Sequence, residues 1–280
     1  MDIKAAVVFE KSGSLDIEKL QISDPYDDEV LVRIVGAGMC HTDLAARNQQ
    51  MSIALPTVLG HEGAGVVEQV GALVTKVRPG DHVVLTWGSC GTCAACRAGE
   101  DPYCVNFHSL NFSGARPDGT TTLKKGDQVI HGSFFGQSAF AEYALANERN
   151  VVRVRKDIPL EILGPLGCGV QTGAGAVINS LQAKPGSSIA IFGVGTVGMS
   201  AVLGAVVCGC TTIIAVDIHP NRLEMAKELG ATHAVNAREE NPVEAILEIN
   251  HGGAEFTLEC VGNPNTSSRF SLEFAISSPT

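Results

Sequence analysis

The sequence predicts an α/β protein in two parts: a β-rich N-terminal part, then an incomplete doubly wound parallel sheet. Three observations carry this. Short Val-rich segments broken by Gly, Pro and Asp fill the first half. From about Ser187 onward, strand-like and helix-like segments alternate, the pattern of parallel strands joined by crossover helices. Between the first of those strands and its helix lies a glycine turn, Gly193-Val194-Gly195-Thr196-Val197-Gly198.

The expected strands of the first part are Lys4 to Phe9, Glu29 to Val35, Gly63 to Val70 and His82 to Leu85. Pro79-Gly80-Asp81 reads as a turn feeding the last of these, because Pro fixes one dihedral and Gly tolerates the other. In the second part Ile189 to Phe192, Thr212 to Val216, His233 to Val235 and Glu255 to Glu259 are expected as strands. Thr196 to Val207, Asn221 to Leu229 and Pro242 to Ile249 are expected as helices. The chain then runs out where a doubly wound sheet continues through its second half. The Ser-rich residues 265–280 are expected as an atypical tail, either disordered or covering the sheet edge.

A length of 280 residues accommodates two domains, and the 45% apolar content is that of a folded chain with a sizeable core. With 20 basic against 30 acidic residues, the net charge of -10 disfavours nucleic acid and anionic membrane surfaces as partners. Apolar runs such as Ile189 to Val194 are too short to span a bilayer, and Asp2 and Lys4 interrupt any leader-like opening. Nine cysteines, most in metal-like contexts, fit a reducing compartment, so a cytoplasmic location is expected.

Cys90, Cys93, Cys96 and Cys104 form a C-x2-C-x2-C-x7-C run, a spacing that folds four thiolates around one tetrahedral zinc. An iron–sulfur site fits less well, because a ferredoxin run closes its last interval more tightly and follows it with Pro. Unliganded or disulfide-paired cysteines are the other alternative.

In the glycine turn, Gly193 permits the tight bend and Gly195 lets a pyrophosphate approach the helix N-terminus. Gly198 lets helix and strand pack closely. Asp217, closing the next strand, is placed to accept from the ribose hydroxyls and to repel a 2′-phosphate, favouring NAD over NADP; a simple helix-start role is its alternative. Arg222 either contacts a phosphate or lies on a solvated helix face.

Cys40, His61 and Cys168 are scattered ligand candidates that spacing cannot join. Each cysteine is also readable as a small buried hydrophobe, and His41 and His61 as satisfied structural histidines.

These residues lie within longer motifs: G-M-C-H-T-D at Gly38 to Asp43, G-H-E-G-A-G-V-V at Gly60 to Val67 and P-G-D-H-V-V at Pro79 to Val84. Others are F-F-G-Q-S at Phe134 to Ser138 and G-P-L-G-C-G-V-Q-T-G-A-G at Gly164 to Gly175. Together with the cysteine loop they resemble the zinc-dependent medium-chain alcohol dehydrogenases, and within them the benzyl (aryl) alcohol dehydrogenases. The resemblance implies a GroES-like catalytic domain over 1–155, with a structural-zinc loop at 88–105, and a partial Rossmann-type NAD-binding domain over 156–264. It implies two zincs and NAD, and oxidation of aromatic primary alcohols to aldehydes with hydride transfer to nicotinamide. Cys40, His61 and Cys168 are then the catalytic zinc ligands, a set associated with alcohol dehydrogenase, and Cys90, Cys93, Cys96 and Cys104 the structural ones.

By the same resemblance Glu62 is a carboxylate that exchanges with a ligand, Asp43 the partner of the ligating histidine, and Thr42 the hydroxyl that carries the alcohol proton outward. Ala45 stands where some relatives continue the relay with histidine, so another proton route is needed. His41 is expected near the pyrophosphate, Thr172 near the nicotinamide, and Trp87 as an aromatic wall or a core residue. The family forms homo-oligomers through an edge expected beyond Gly262. An inactive, zinc-stabilised remnant that binds nucleotide or protein is therefore the alternative expectation.

Overall fold

Residues 1–262 are described by the computed structural model; the expected tail at 265–280 lies outside the described residues. Contacts divide the chain into two units, Met1–Cys168 and the residues from Gly169 onward. The division expected after residue 155 differs by the segment 156–168, whose short 3-10 turns Leu160–Ile162 and Gly164–Gly167 pack on strands of the first unit.

The first unit comprises β1 (Asp2–Val8), β2 (Asp16–Ile22), β3 (Glu29–Gly38), α1 (His41–Arg47), β4 (Thr57–Val58), β5 (Glu62–Val70) and β6 (His82–Leu85). It continues with α2 (Ala94–Arg97), α3 (Phe107–Phe112), β7 (Leu123–Lys125), β8 (Gln128–Ile130), β9 (Tyr143–Asn147) and β10 (Val151–Arg153). Two five-stranded antiparallel sheets result, ordered β4-β1-β2-β7-β8 and β10-β6-β5-β3-β9. Period-2 burial supplies the driving force: alternate residues of β1 (Ile3, Ala5, Val7) join Leu20, Val58 and Ile130 in one core. Val30, Val32, Val67, Val83 and Leu85 fill a second. The Pro79-Gly80 turn forms as expected, with Gly80 at φ 85° and the Asp81 amide donating to the Arg78 carbonyl, the type II pattern.

The second unit contains α4 (Gly169–Gly175), β11 (Ser188–Phe192), α5 (Thr196–Cys208), β12 (Thr212–Asp217), α6 (Pro220–Glu228), β13 (His233–Asn236), α7 (Pro242–Ile249) and β14 (Phe256–Glu259). The strands are all parallel, in the order β13-β12-β11-β14. The continuous apolar runs of β11 and β12 are explained by burial on both faces. Ile189, Ile191 and Ile213 pack with Ala201 and Val202 of α5 on one side, and Phe192, Ile214 and Val216 with Ile246 of α7 on the other. Each α5 and α6 boundary carries a matching signal: Gly209 in the left-handed region (φ 76°) stops α5, and Pro220 opens α6.

Candidate active site

Strand register brings the first site together. β3 and β5 pair so that Gly38 lies opposite Glu62, which places Cys40, just past β3, beside His61, just before β5. A side chain at position 38 has no room: its Cβ would fall 2.0 Å from Glu62 Oε2. Gly164 approaches as closely, its Cβ position lying 2.1 Å from the Glu62 carbonyl oxygen, so the 3-10 turn that ends at Gly167 carries Cys168 to the same point. One candidate ligand atom from each of Cys40, His61, Glu62 and Cys168 lies within 4.8 Å of the others. Cys168 Sγ is 3.3 Å from His61 Nε2.

Asp43 organises the surroundings. It is buried, and one carboxylate oxygen lies 3.1 Å from His61 Nδ1 and accepts from the Gly60 amide, while the other accepts from the Cys40 amide at the start of α1. With Nδ1 held by a carboxylate, Nε2 is left facing the thiols, the arrangement that raises ligand basicity in metal sites. Thr42 Oγ1 is 3.6 Å from Cys40 Sγ, so its hydroxyl borders the cluster.

Electrostatics follow from the crowding. Hydrogen bonds from Cys168 and then His61 lower the Cys40 thiol pKa to about 3 against the opposing effect of burial. Burial opposes charge on His61, but hydrogen bonds to Asp43 and Cys40 raise its pKa to about 9. Its hydrogen bond with Cys40 and its burial push the Cys168 thiol up. Two sulfurs, one imidazole nitrogen and one carboxylate converging at this spacing match the donor preferences of zinc.

The second cluster sits in one loop around α2. Cys90 Sγ is 3.9 Å and Cys93 Sγ 3.5 Å from Cys96 Sγ. Zn–S bonds of about 2.3 Å in a tetrahedron place sulfurs about 3.8 Å apart, so the four thiols fit one zinc. Backbone amides of Cys90 and Cys93 donate to Cys104 Sγ and Cys90 Sγ, which orients the two sulfurs. No disulfide joins any of the nine cysteines, all of which lie within the described residues, so the disulfide alternative is set aside.

In the second unit the glycine turn follows β11 directly. Gly193 adopts φ 83°, and the Cβ position of Gly198 would fall 2.0 Å from the Gly193 carbonyl oxygen. Nothing lies within 4 Å of a Cβ at Gly195, so the backbone there is open to a ligand. The Asp217 carboxylate accepts from the Val194 amide at 2.9 Å and from the Ile218 and His219 amides at 2.7 and 2.9 Å, which ties the turn to the end of β12. A carboxylate has about four acceptor positions, so capacity for a ribose hydroxyl is left. Arg222 is exposed, with Nη1 3.7 Å from Asp217. His41 is exposed at the first position of α1, and Thr172 is exposed on α4.

Trp87 is half-buried, and its ring lies 5.6 Å from that of Phe107. No motif announces that this pair continues through Phe112 to Phe135, whose ring stacks on His61 at 4.6 Å. Gln137, buried and bonded to the His61 carbonyl and the Gly63 amide, was also missed as a site residue; the F-F-G-Q-S motif was its signal.

A two-sheet antiparallel unit with two zinc-matched clusters, followed by a parallel unit with a dinucleotide-type turn, defines a zinc-dependent dehydrogenase. Comparison with known proteins agrees. The alcohol dehydrogenase GroES-like domain family matches residues 26–156, and the zinc-binding dehydrogenase family matches residues 196–272, running past the limit at residue 264 expected from sequence. Geraniol dehydrogenase from Castellaniella defragrans is 48% identical over 263 residues, covering 93% of this chain and 70% of the relative. The crystal structure of benzyl alcohol dehydrogenase from Acinetobacter calcoaceticus is 51% identical with a TM-score of 0.91, covering 95% of this chain and 72% of that one. An alcohol dehydrogenase zinc-binding domain protein from Burkholderia ambifaria is 55% identical with a TM-score of 0.93, covering 96% and 73%. The chain belongs to the zinc-dependent medium-chain alcohol dehydrogenases, with the GroES-like and Rossmann-type folds expected. That family assignment carries zinc, with a four-cysteine site and a catalytic-type cluster, and the NAD typical of the family. Among the described residues no helix is long and apolar enough to cross a membrane.

Proposed function

We propose that the protein oxidises aromatic primary alcohols to aldehydes with NAD: R-CH2OH and NAD+ become R-CHO, NADH and a proton. The observation that carries this is the convergence of Cys40, His61, Glu62 and Cys168 on one point, with the Phe135 ring stacked on one member of the set. Cys40, His61 and Cys168 would hold the catalytic zinc, with Glu62 the carboxylate able to replace one of them, and Cys90, Cys93, Cys96 and Cys104 would hold the structural zinc. When bound, zinc supplies a Lewis acid that lowers the pKa of the alcohol hydroxyl, and NAD supplies the hydride acceptor.

The chain's own residues do the rest. Asp43 keeps the His61 ring oriented, and Thr42, next to Cys40, takes the alcohol proton and passes it to water, since Ala45 offers no onward relay. In the second unit Gly195 and the α5 N-terminus receive the pyrophosphate, while Asp217 accepts from the ribose and Arg222 lies alongside. His41 and Thr172 complete the cofactor contacts. The aryl preference rests on the run Trp87, Phe107, Phe112, Phe135, aromatic surface of the kind that stacks on a benzyl ring. It rests also on two relatives named for geraniol and benzyl alcohol, both primary alcohols whose carbinol carbon adjoins a π bond.

The test is NADH formation from benzyl alcohol by the purified chain, with zinc counted per chain, beside Cys168→Ser. Turnover with two zincs in the parent, and lost turnover with one zinc in the variant, is the expected result. A folded parent with one zinc and no turnover sinks the proposal and leaves a zinc-stabilised binding protein.

A further inference from the structure

The loop Ser133–Ser138 has a backbone that its sequence does not favour. Ser133, Phe135 and Ser138 adopt φ of 57°, 50° and 57°, and Gly136 adopts 66°. A left-handed conformation is costly for a side-chain-bearing residue, and for a bulky aromatic it is an outlier. Such a conformation persists where surrounding contacts over-determine it. Here Asn150 donates to the Gly136 carbonyl, Phe112 packs on both loop phenylalanines, and further contacts run to the segment that carries His61. The Ser138 hydroxyl donates to the Val58 carbonyl, and the Ala139 and Phe140 amides donate to the Gly60 and Leu59 carbonyls.

Three side chains of the loop act on His61 in different ways. The Gln137 carboxamide donates to the His61 carbonyl at 2.9 Å and accepts from the Gly63 amide at 3.0 Å, the pairing a neighbouring strand's peptide group would make. It extends the ladder of β5 by one side chain and fixes the His61 backbone. Phe135 lies on the imidazole with ring centroids 4.6 Å apart and planes 26° apart, while Phe134 meets the same ring edge-on at 5.6 Å and 88°. Phe112 packs against both phenylalanines, edge-on at 5.0 Å from Phe135 and tilted at 6.3 Å from Phe134. The imidazole has two torsions to lose. Asp43 holds one edge through Nδ1, and the two phenyl rings block rotation of the plane.

We infer that Phe135 and Gln137 are positioning residues for His61, setting the ring plane and the backbone so that Nε2 faces Cys40 and Cys168 before any ion arrives. The inference rests on the reading of that cluster as a metal site. It explains why an unfavourable backbone is present beside it: the left-handed turn at Phe135 is what delivers an aromatic face to the imidazole.

The experiment uses the full chain loaded with cobalt and follows metal release to a chelator, together with the visible spectrum. The release phase of the His61 site is identified by its loss in Cys40→Ser, and the Cys90 to Cys104 cluster in the same molecule reports on folding. Phe135→Ala and Gln137→Met are expected to speed release from the His61 site by about 10- to 100-fold and to shift its cobalt bands, leaving the phase of the four-cysteine cluster unchanged. Phe135→Tyr, which keeps the ring, is expected to restore the parental rate and spectrum. Two cobalt ions in the parent, with unchanged release and spectra in both variants, would overturn the positioning role alone. A parent that takes up cobalt at the four-cysteine cluster alone would overturn the metal reading and the inference with it.

Discussion

Asp43 holds His61 through a contact of 3.1 Å between Oδ1 and Nδ1, with both side chains almost fully buried. The same carboxylate accepts from two backbone amides, so it is oriented independently of the histidine. Asp43→Asn is expected to lower metal affinity at the catalytic cluster by about 10- to 100-fold. Zinc counted per chain after dialysis against graded chelator checks this, and retention equal to the parent's at every step would contradict it.

Glu29 and Arg116 form a bidentate pair, with Nε 2.7 Å from Oε1 and Nη2 2.8 Å from Oε2, and the guanidinium lies 4.0 Å over the Tyr26 ring. Both side chains are nearly buried, at 11% and 5% exposure respectively. Removing one partner strands the other charge, so Arg116→Ala is expected to cost about 3–5 kcal/mol of stability. Urea titration of the zinc-loaded protein measures it. A loss below about 1 kcal/mol, the range of a solvated surface pair, would mean that water reaches the two charges.

Among the cysteines, Cys40 and Cys260 are predicted to behave oppositely once metal is stripped. Hydrogen bonds from Cys168 and His61 hold Cys40 as a thiolate, with a pKa of about 3, whereas burial and then the Glu259 charge push Cys260 up to about 12. Alkylation read by mass spectrometry is expected to modify Cys40 at a rate nearly constant between about pH 6 and 8, and to spare Cys260. The raised group also carries a stability signature. Folding favours the neutral Cys260 thiol, so its contribution is complete below the ordinary thiol pKa and is lost as pH rises from there towards about 12. Cys260→Ala should flatten the alkaline fall in stability, and an unchanged slope would place the effect elsewhere.

Cofactor choice is predicted to turn on Asp217. Replacing it with Ser removes the charge that opposes a 2′-phosphate, and the NAD over NADP preference in kcat/KM is expected to fall by about tenfold, or about 1.4 kcal/mol. Because Asp217 also accepts from the Val194, Ile218 and His219 amides, Tm is expected to fall in the same variant. A preserved preference with a lowered Tm would assign Asp217 to holding the turn alone.

The second unit was legible because each of its signals is local. Apolar runs, a glycine turn, Gly209 and Pro220 mark their own boundaries, and the strands fell where expected. β2 was not read from sequence because its DIEKLQI segment buries little beyond Leu20 and Ile22. β7 and β8 are three-residue strands, too short for periodicity to register. The Cys90 to Cys104 cluster was visible as spacing, whereas Cys40, His61 and Cys168 are joined by the β3–β5 register and by close glycine packing, neither of which leaves a mark in spacing. Phe135 was the least legible, since no sequence signal announces a phenylalanine in a left-handed turn.

The two clusters differ in how much chain must be in place before each exists. Cys90 to Cys104 lie in one short loop, whose closure costs little entropy. The other set draws on β3, β5 and a turn at the far end of the first unit, so it is completed only when Cys168 docks. During synthesis from the N-terminus, the ribosome therefore exposes a finished thiolate cage well before the second site has its last donor. The order in which the two donor sets are completed is thus written into the chain, and a chain arrested before residue 168 is expected to present one complete set where the finished first unit has two.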